Sequence, residues 1–181
     1  MNYYISDMHW GEESVIEYDK RPFSNADECY RIMKERWNQI VTEDDHVYVV
    51  GDCIYEDEKN ISQYLDGLNG HLHLIIGNND VNLIKNPMIK HYFEEVNILQ
   101  KIVDENGNII VLCHYPIACW EDKNKENCIH IYGHVHKDGK EEYEFMNING
   151  RAYNAGCMVN GYVPVTLEEI ISNNKKHYER G

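Results

Sequence analysis

The chain has 181 residues, 43% hydrophobic and 27% charged, a globular composition long enough to bury roughly 70% of its unfolded surface around one core. Its 17 basic and 31 acidic side chains leave a formal charge of −14, which argues against long nucleic acids, whose non-specific binding draws on Lys and Arg. Any small anionic ligand would meet the same repulsion, so if one binds, something other than the net charge must attract it, which a bound cation could do. The N-terminus lacks a basic segment followed by an apolar stretch, no apolar run approaches the ~18 residues that cross a bilayer, and six scattered cysteines form no CxxC pair. A single domain over residues 1–181, cytoplasmic, with reduced thiols and no membrane partner, is expected.

In chain order, a short run rich in Tyr and Ile predicts a strand over residues 3–6. Ser24-Asn25-Ala26-Asp27-Glu28 offers a cap and early acids, and with apolar residues at 29, 32, 33, 37 and 40 it predicts a helix over residues 25–41. A strand over 46–50, a helix over 61–68 stopped by Asn69-Gly70, and a strand over 72–76 come next. This alternation predicts crossover connections and a partly parallel sheet. Beyond residue 95, strands over 96–103 and 109–113 flank the hairpin signal Asn106-Gly107, and another covers 129–132. Strands over 145–148 and 152–155 are expected to join through Asn149-Gly150. Thr166 and Glu169 form a capping box opening a last helix to about residue 173, with a frayed tail over 174–181.

The segments just beyond the strands carry the chemistry. Asp7-Met8-His9, Gly51-Asp52, Gly77-Asn78, His114 and Gly133-His134-Val135-His136 each come directly after an apolar run. Asp7 and His9, like His134 and His136, are two apart, and in an extended segment that spacing puts both side chains on one side, where a pair could grip one ion. A glycine before a donor lets the chain turn sharply or another backbone approach. Two carboxylates, four imidazoles and an amide oxygen, without a thiolate, suit Mn, Fe or Zn in open catalytic geometry. Seven ligands are too many for one ion and enough for two if a carboxylate bridges.

These five motifs, with Asn79-Asp80 completing the third, resemble in order those of the calcineurin-like metallophosphoesterases, from about residue 5 to 164. Trp10-Gly11, Arg21-Pro22-Phe23, His114-Tyr115-Pro116 and Gly161-Tyr162-Val163-Pro164 resemble a small bacterial and phage branch of that superfamily. The resemblance implies an α/β (α+β) four-layer αββα sandwich, two mixed β-sheets flanked by helices, with the site at one edge. It implies two divalent metal ions, Mn first with Fe, Zn or Ni as alternatives. Asp7, His9 and His136 would hold one ion, Asn78, His114 and His134 the other, and Asp52 would bridge them. The implied reaction is phosphoester hydrolysis, in which a metal-bridging hydroxide attacks phosphorus in line with the leaving oxygen.

The chain departs from the family at the third motif, usually Gly-Asn-His-Asp, whose histidine is the expected proton donor, held by the following aspartate. Here that position is Asn79, followed by Asp80, and an amide cannot give up a proton near pH 7. General acid catalysis is worth 10²–10⁴-fold, most where the leaving group is poor. Small relatives with cysteine there are phosphodiesterases, so the expected activity is selective, favouring a phosphodiester over a phosphomonoester. The alternative is a non-catalytic or weakly active scaffold used for protein contacts; a nuclease is disfavoured by the acidic charge. Arg21 could clamp a substrate phosphate through its planar fork or pair with a surface acid, the simpler reading. His46, His71, His73, His91, His130 and His177 read as packed or surface residues, and Cys53 as core.

Overall fold

The computed structural model describes residues 1–55, 61–148 and 151–179. Among them are two four-stranded sheets. The first runs β1 (Asn2–Ile5), β2 (His46–Val49), β3 (His71–Ile75), β4 (Phe93–Asn97), parallel at every pairing. The second runs β5 (Leu99–Val103), β6 (Ile109–Cys113), β7 (Cys128–Tyr132), β8 (Ala152–Asn154), antiparallel between β5 and β6 and parallel beyond.

Alternation along the strands sorts the core into layers. Tyr4, Tyr48, Val50 and Ile75 of the first sheet meet Ile110, Leu112, Ile129 and Ile131 of the second. Tyr3, Ile5, Val47, Val49, Leu72 and Leu74 face the other way, onto helices. There α2 (Ala26–Ile40) buries Cys29, Met33 and Trp37 at four-residue spacing, after Asn25 accepts the Glu28 N–H at 2.8 Å. The short α3 (Ile61–Leu65) adds Tyr64 and Leu65 to this layer. On the far side of the second sheet, Val111, Tyr132 and Ala152 pack with Trp120 and with Met146 of α5 (Lys140–Asn147). The result is the expected four layers of helix, sheet, sheet, helix.

Several predicted elements differ. Residues 145–148 are not a strand: all but Ile148 belong to α5, whose buried Tyr143 and Met146 stand at helical spacing. Asn149-Gly150 lies outside the described residues. The single strand over 96–103 is two, β4 and β5, and the exposed Ile98 carries the chain from one sheet to the other; an unbroken apolar pattern does not mark that crossing. The helix over 61–68 ends at Leu65. Three short elements, α1 (Ser14–Tyr18), a 3-10 turn (Leu83–Lys85) and α4 (Ile89–Tyr92), offer too few turns for periodicity to reveal.

Residues 174–178 of the tail expected to fray are helical. The final helix, α6 (Leu167–Tyr178), opens on the predicted capping box and buries Asn174 and Tyr178. The Asn174 side-chain oxygen accepts the Asn154 N–H at 2.7 Å, and its amide donates to the Asn154 carbonyl at 2.9 Å. Tyr178 accepts from the Asn154 amide at 2.8 Å. These polar contacts satisfy the free edge of β8, and no apolar repeat announces them.

Candidate metal centre

The parallel strands of both sheets end at the same edge of the sandwich, so the loops after them converge. Among the described residues, eight non-glycine residues have positive φ, and five are Asp7, His9, Asp52, His134 and His136, with φ between 48° and 71°. Backbone held in this region costs of order 1–3 kcal/mol per residue and collects at functional sites. The two-residue spacing therefore does not act through extended backbone as expected; the chain coils tightly past each strand end. Asp7 and His9 do fall in one cluster with His136, whereas His134 stands apart from its neighbour, its ring 5.2 Å from that of His114.

Close approach is built in by glycine. A Cβ on Gly77 would stand 2.2 Å from Asp52 Oδ1, and one on Gly51, whose φ is +87°, would stand 2.2 Å from His114 Nδ1.

Two groups of donors lie within 4.8 Å of one another: Asp7, His9 and His136, and Asp7, Asp52 and His114. Three histidines are each tied at Nδ1, which turns Nε2 toward the cluster. His9 donates to Glu12 Oε2 at 2.7 Å, His114 to the Val50 carbonyl at 2.9 Å, and His136 to Asp19 Oδ1 at 2.8 Å. A backbone carbonyl or carboxylate on one ring nitrogen is what fixes a metal-binding imidazole. His9 Nε2 is buried and finds no hydrogen-bond partner among the described residues. It lies 3.5 Å from Asp52 Oδ2, the same separation that divides this oxygen from His114 Nε2. Asp52 thus stands between the His9 and His114 rings, Asp7 is common to both groups, and Asn78 Oδ1 is 3.1 Å from His114 Nε2.

The electrostatics arise from burial and pairing. Burial alone would raise the Asp52 carboxyl, but His114 and the Asn79 donors outweigh it and hold it far below the ordinary carboxylate range. Burial works to lower His114, and Asp52 and Asp7 together raise it to about 9. The His136 ring is raised by Asp19 against its own burial, while burial and the neighbouring His114 lower His134. An orphaned imidazole nitrogen beside buried carboxylates, in a set of N and O donors, fits divalent first-row cations.

Asn79 and Asp80 are occupied in other ways. The Asn79 backbone N–H and side-chain amide donate to the two oxygens of Asp52, each at 2.8 Å. Asp80, fully buried, accepts the N–H groups of Asp52, Cys53 and Gly77 at 2.7–2.9 Å. It clasps the loop after β2 to the loop after β3. Burial raises its carboxyl, and the three N–H donors oppose that rise.

Arg21 is neither at the surface nor open to a substrate. Its buried guanidinium binds Asp19 at 2.9 Å and the carbonyls of Met8 and Asp7 at 2.7 and 2.9 Å. Through Asp19 it braces His136. The orienting acids Glu12 and Asp19 escape a reading of the sequence, since nothing in their spacing separates them from the other acids of a strongly acidic chain. Cys53 is buried in the first core layer. His91 and His177 are exposed, and His130 is a core residue whose Nδ1 donates to the Val111 carbonyl at 2.9 Å.

Among the described residues no helix is long and apolar enough to cross a membrane. The calcineurin-like phosphoesterase superfamily domain profile matches residues 2–161. The uncharacterized protein MJ1445 of Methanocaldococcus jannaschii is 32% identical over 171 residues, covering 93% of this chain and 88% of that protein. The crystal structure of the protein of unknown function AQ665 from Aquifex aeolicus superposes with a TM-score of 0.74 at 26% identity, covering 95% of this chain and 98% of that one. With the domain profile spanning most of its length and the strand-end donors in place, the chain belongs to the calcineurin-like phosphoesterase superfamily.

Proposed function

We propose that this protein is a binuclear metal-dependent phosphoesterase, one catalytic domain acting on a small phosphorylated molecule, with a phosphodiester favoured over a phosphomonoester. The observation that carries the reading is the convergence of three imidazoles, each fixed at Nδ1, on the buried carboxylates of Asp7 and Asp52. Asp7, His9 and His136 would hold one ion, and Asn78, His114 and His134 the other, with Asp52 between them. Bound divalent ions, Mn²⁺ foremost, would supply positive charge for the phosphoryl oxygens and bring a bound water to ionise near neutral pH.

The protein's own groups explain the selectivity. Asn79 holds both oxygens of Asp52 and has no proton to give the leaving oxygen. Substrates with a good leaving group are therefore favoured. The formal charge of −14 repels a monoester dianion more than a diester monoanion, which favours the diester.

The deciding experiment adds Mn²⁺ to metal-stripped protein and monitors nitrophenyl phosphomonoester and phosphodiester hydrolysis. Metal-stimulated turnover, larger for the diester, is expected. A folded protein that turns over neither ester with Mn²⁺, Fe²⁺, Zn²⁺ or Ni²⁺ would overturn the proposal in favour of a scaffold role.

A further inference from the structure

A second group of metal-binding side chains lies at the opposite end of the first sheet, where β2 and β3 begin. His46 and His71 are register partners on neighbouring parallel strands, and His73 comes next on the same face. At β4 the register slips between Leu72 and His73, so Glu94 is an extra residue opposite that step and Glu95 pairs with His73. Such a bulge re-aims side chains, and here it brings two carboxylates to the histidines.

The distances suit a metal ion and its supporting contacts. His46 Nδ1 is 3.0 Å from His73 Nε2, which is 3.9 Å from Glu94 Oε2, and one donor atom from each of the three residues lies within 4.8 Å of the others. Ligand atoms 2.0–2.1 Å from a tetrahedral ion stand about 3.3 Å apart, so small side-chain shifts admit one. The outer contacts run in the sense a metal site uses. His71 Nδ1 meets the other oxygen of Glu94 at 2.5 Å. His73 Nδ1, in a residue only 5% exposed, has no hydrogen-bond partner among the described residues, and Glu95 Oε2 stands 3.5 Å away. Gln100, reaching across from β5, donates to that Glu95 oxygen and holds it. With its other nitrogen turned toward a second histidine and a second carboxylate, the His73 ring needs only a small approach of Glu95 at Nδ1 to complete a carboxylate–histidine–metal arrangement.

The surroundings favour a cation. His46 also lines a cleft of about 500 Å³ shared with Asp44, Asp104, Glu105 and Glu168. Strand rise places His46 about 13 Å or more from the loop carrying Asp52.

We infer that His46, His73 and Glu94 form a site for one divalent transition ion of the zinc type, oriented by His71 and Glu95 and separate from the strand-end centre. Three protein ligands leave a fourth position for water.

Zinc is the probe. The full chain, stripped of metal, is dialysed against graded Zn²⁺ and the metal bound per chain is measured, for the natural sequence and for His46→Gln and Glu94→Gln. Each substitution is expected to weaken binding of one Zn²⁺ per chain at least tenfold, with Mn²⁺-dependent ester hydrolysis unchanged. Wild-type stoichiometry and affinity in both folded variants would overturn the site, leaving a histidine–histidine hydrogen bond. The unmutated protein supplies an independent measurement. Zinc-soaked crystals should give an anomalous peak about 2.1 Å from His73 Nε2, and a map with peaks only at the strand-end donors would overturn the inference.

Discussion

Asp80→Asn tests whether residue 80 organises the metal centre rather than taking part in proton transfer. The carboxylate accepts three backbone N–H groups, those of Asp52 and Gly77 on Oδ2 and that of Cys53 on Oδ1. An asparagine can turn its oxygen toward the first two, and its NH₂ then faces the Cys53 N–H, donor against donor. The loss is one charge-assisted bond, about 1.5–3 kcal/mol, plus an unmet buried N–H at about 1–3 kcal/mol. Removal of the buried charge offsets part of this, so a net destabilisation of about 2–4 kcal/mol is expected. Because the clasp joins the loops carrying Asp52 and Asn78, Mn²⁺ affinity should fall as well. Urea unfolding of metal-stripped protein reads the first effect through its midpoint at constant slope, and Mn²⁺ titration reads the second. A variant within about 0.5 kcal/mol of the parent that also binds Mn²⁺ equally well would refute the clasp.

Asn79→His should raise hydrolysis of an alkyl phosphate ester by up to about 10²-fold relative to a nitrophenyl ester; an unchanged alkyl rate means that residue 79 does not occupy the proton donor's place. Asp19→Asn removes the charge paired with the buried Arg21 guanidinium, and its single acceptor oxygen can serve Arg21 or the His136 ring but not both. It should cost about 3–5 kcal/mol on urea unfolding and 10–100-fold in Mn²⁺ affinity, and loss of neither would show that the Arg21–Asp19–His136 chain is incidental. His114, raised to about 9 when folded, stabilises metal-stripped protein fully below pH 6.5 and loses that contribution as pH rises through 9. The unfolding free energy read from urea titrations should therefore fall by on the order of 3 kcal/mol between pH 6.5 and 9. Mn²⁺, which competes with the His114 proton, should bind more tightly across the same interval, and flat profiles with and without metal would exclude this coupling.

Strands β1, β2, β3, β6 and β7 were legible because each carries a short run of Val, Ile or Tyr, and α2 because its apolar stripe repeats over several turns behind a good cap. The strand-end donors were legible too, since polar side chains placed directly after so many apolar runs are hard to explain otherwise. Less visible was everything that depends on polar contacts between distant segments. Asn174 and Tyr178 are pinned by Asn154, and Asp19 is defined by Arg21 and His136 together. A single acid or amide has no periodicity, so its role emerges only when the chain brings its partners to it.

The histidines at the other end of the sheet show where spacing arguments divide. His71 and His73 are two apart, as Asp7 and His9 are, and lie on a true strand, where that spacing puts both on one face. Asp7 and His9 meet by a different route, through left-handed backbone beyond the end of β1. The spacing rule thus holds on geometric grounds for the pair read as packing, and the pair read as metal ligands needed strained loops to converge. What separated them in the sequence was position relative to a strand end, which marks the edge where parallel strands collect their loops. It carries no information about a bulge in β4 that turns Glu94 and Glu95 toward His71 and His73. Ligand sets built within a sheet face therefore depend on strand register, and register is fixed by the packing of the whole sheet.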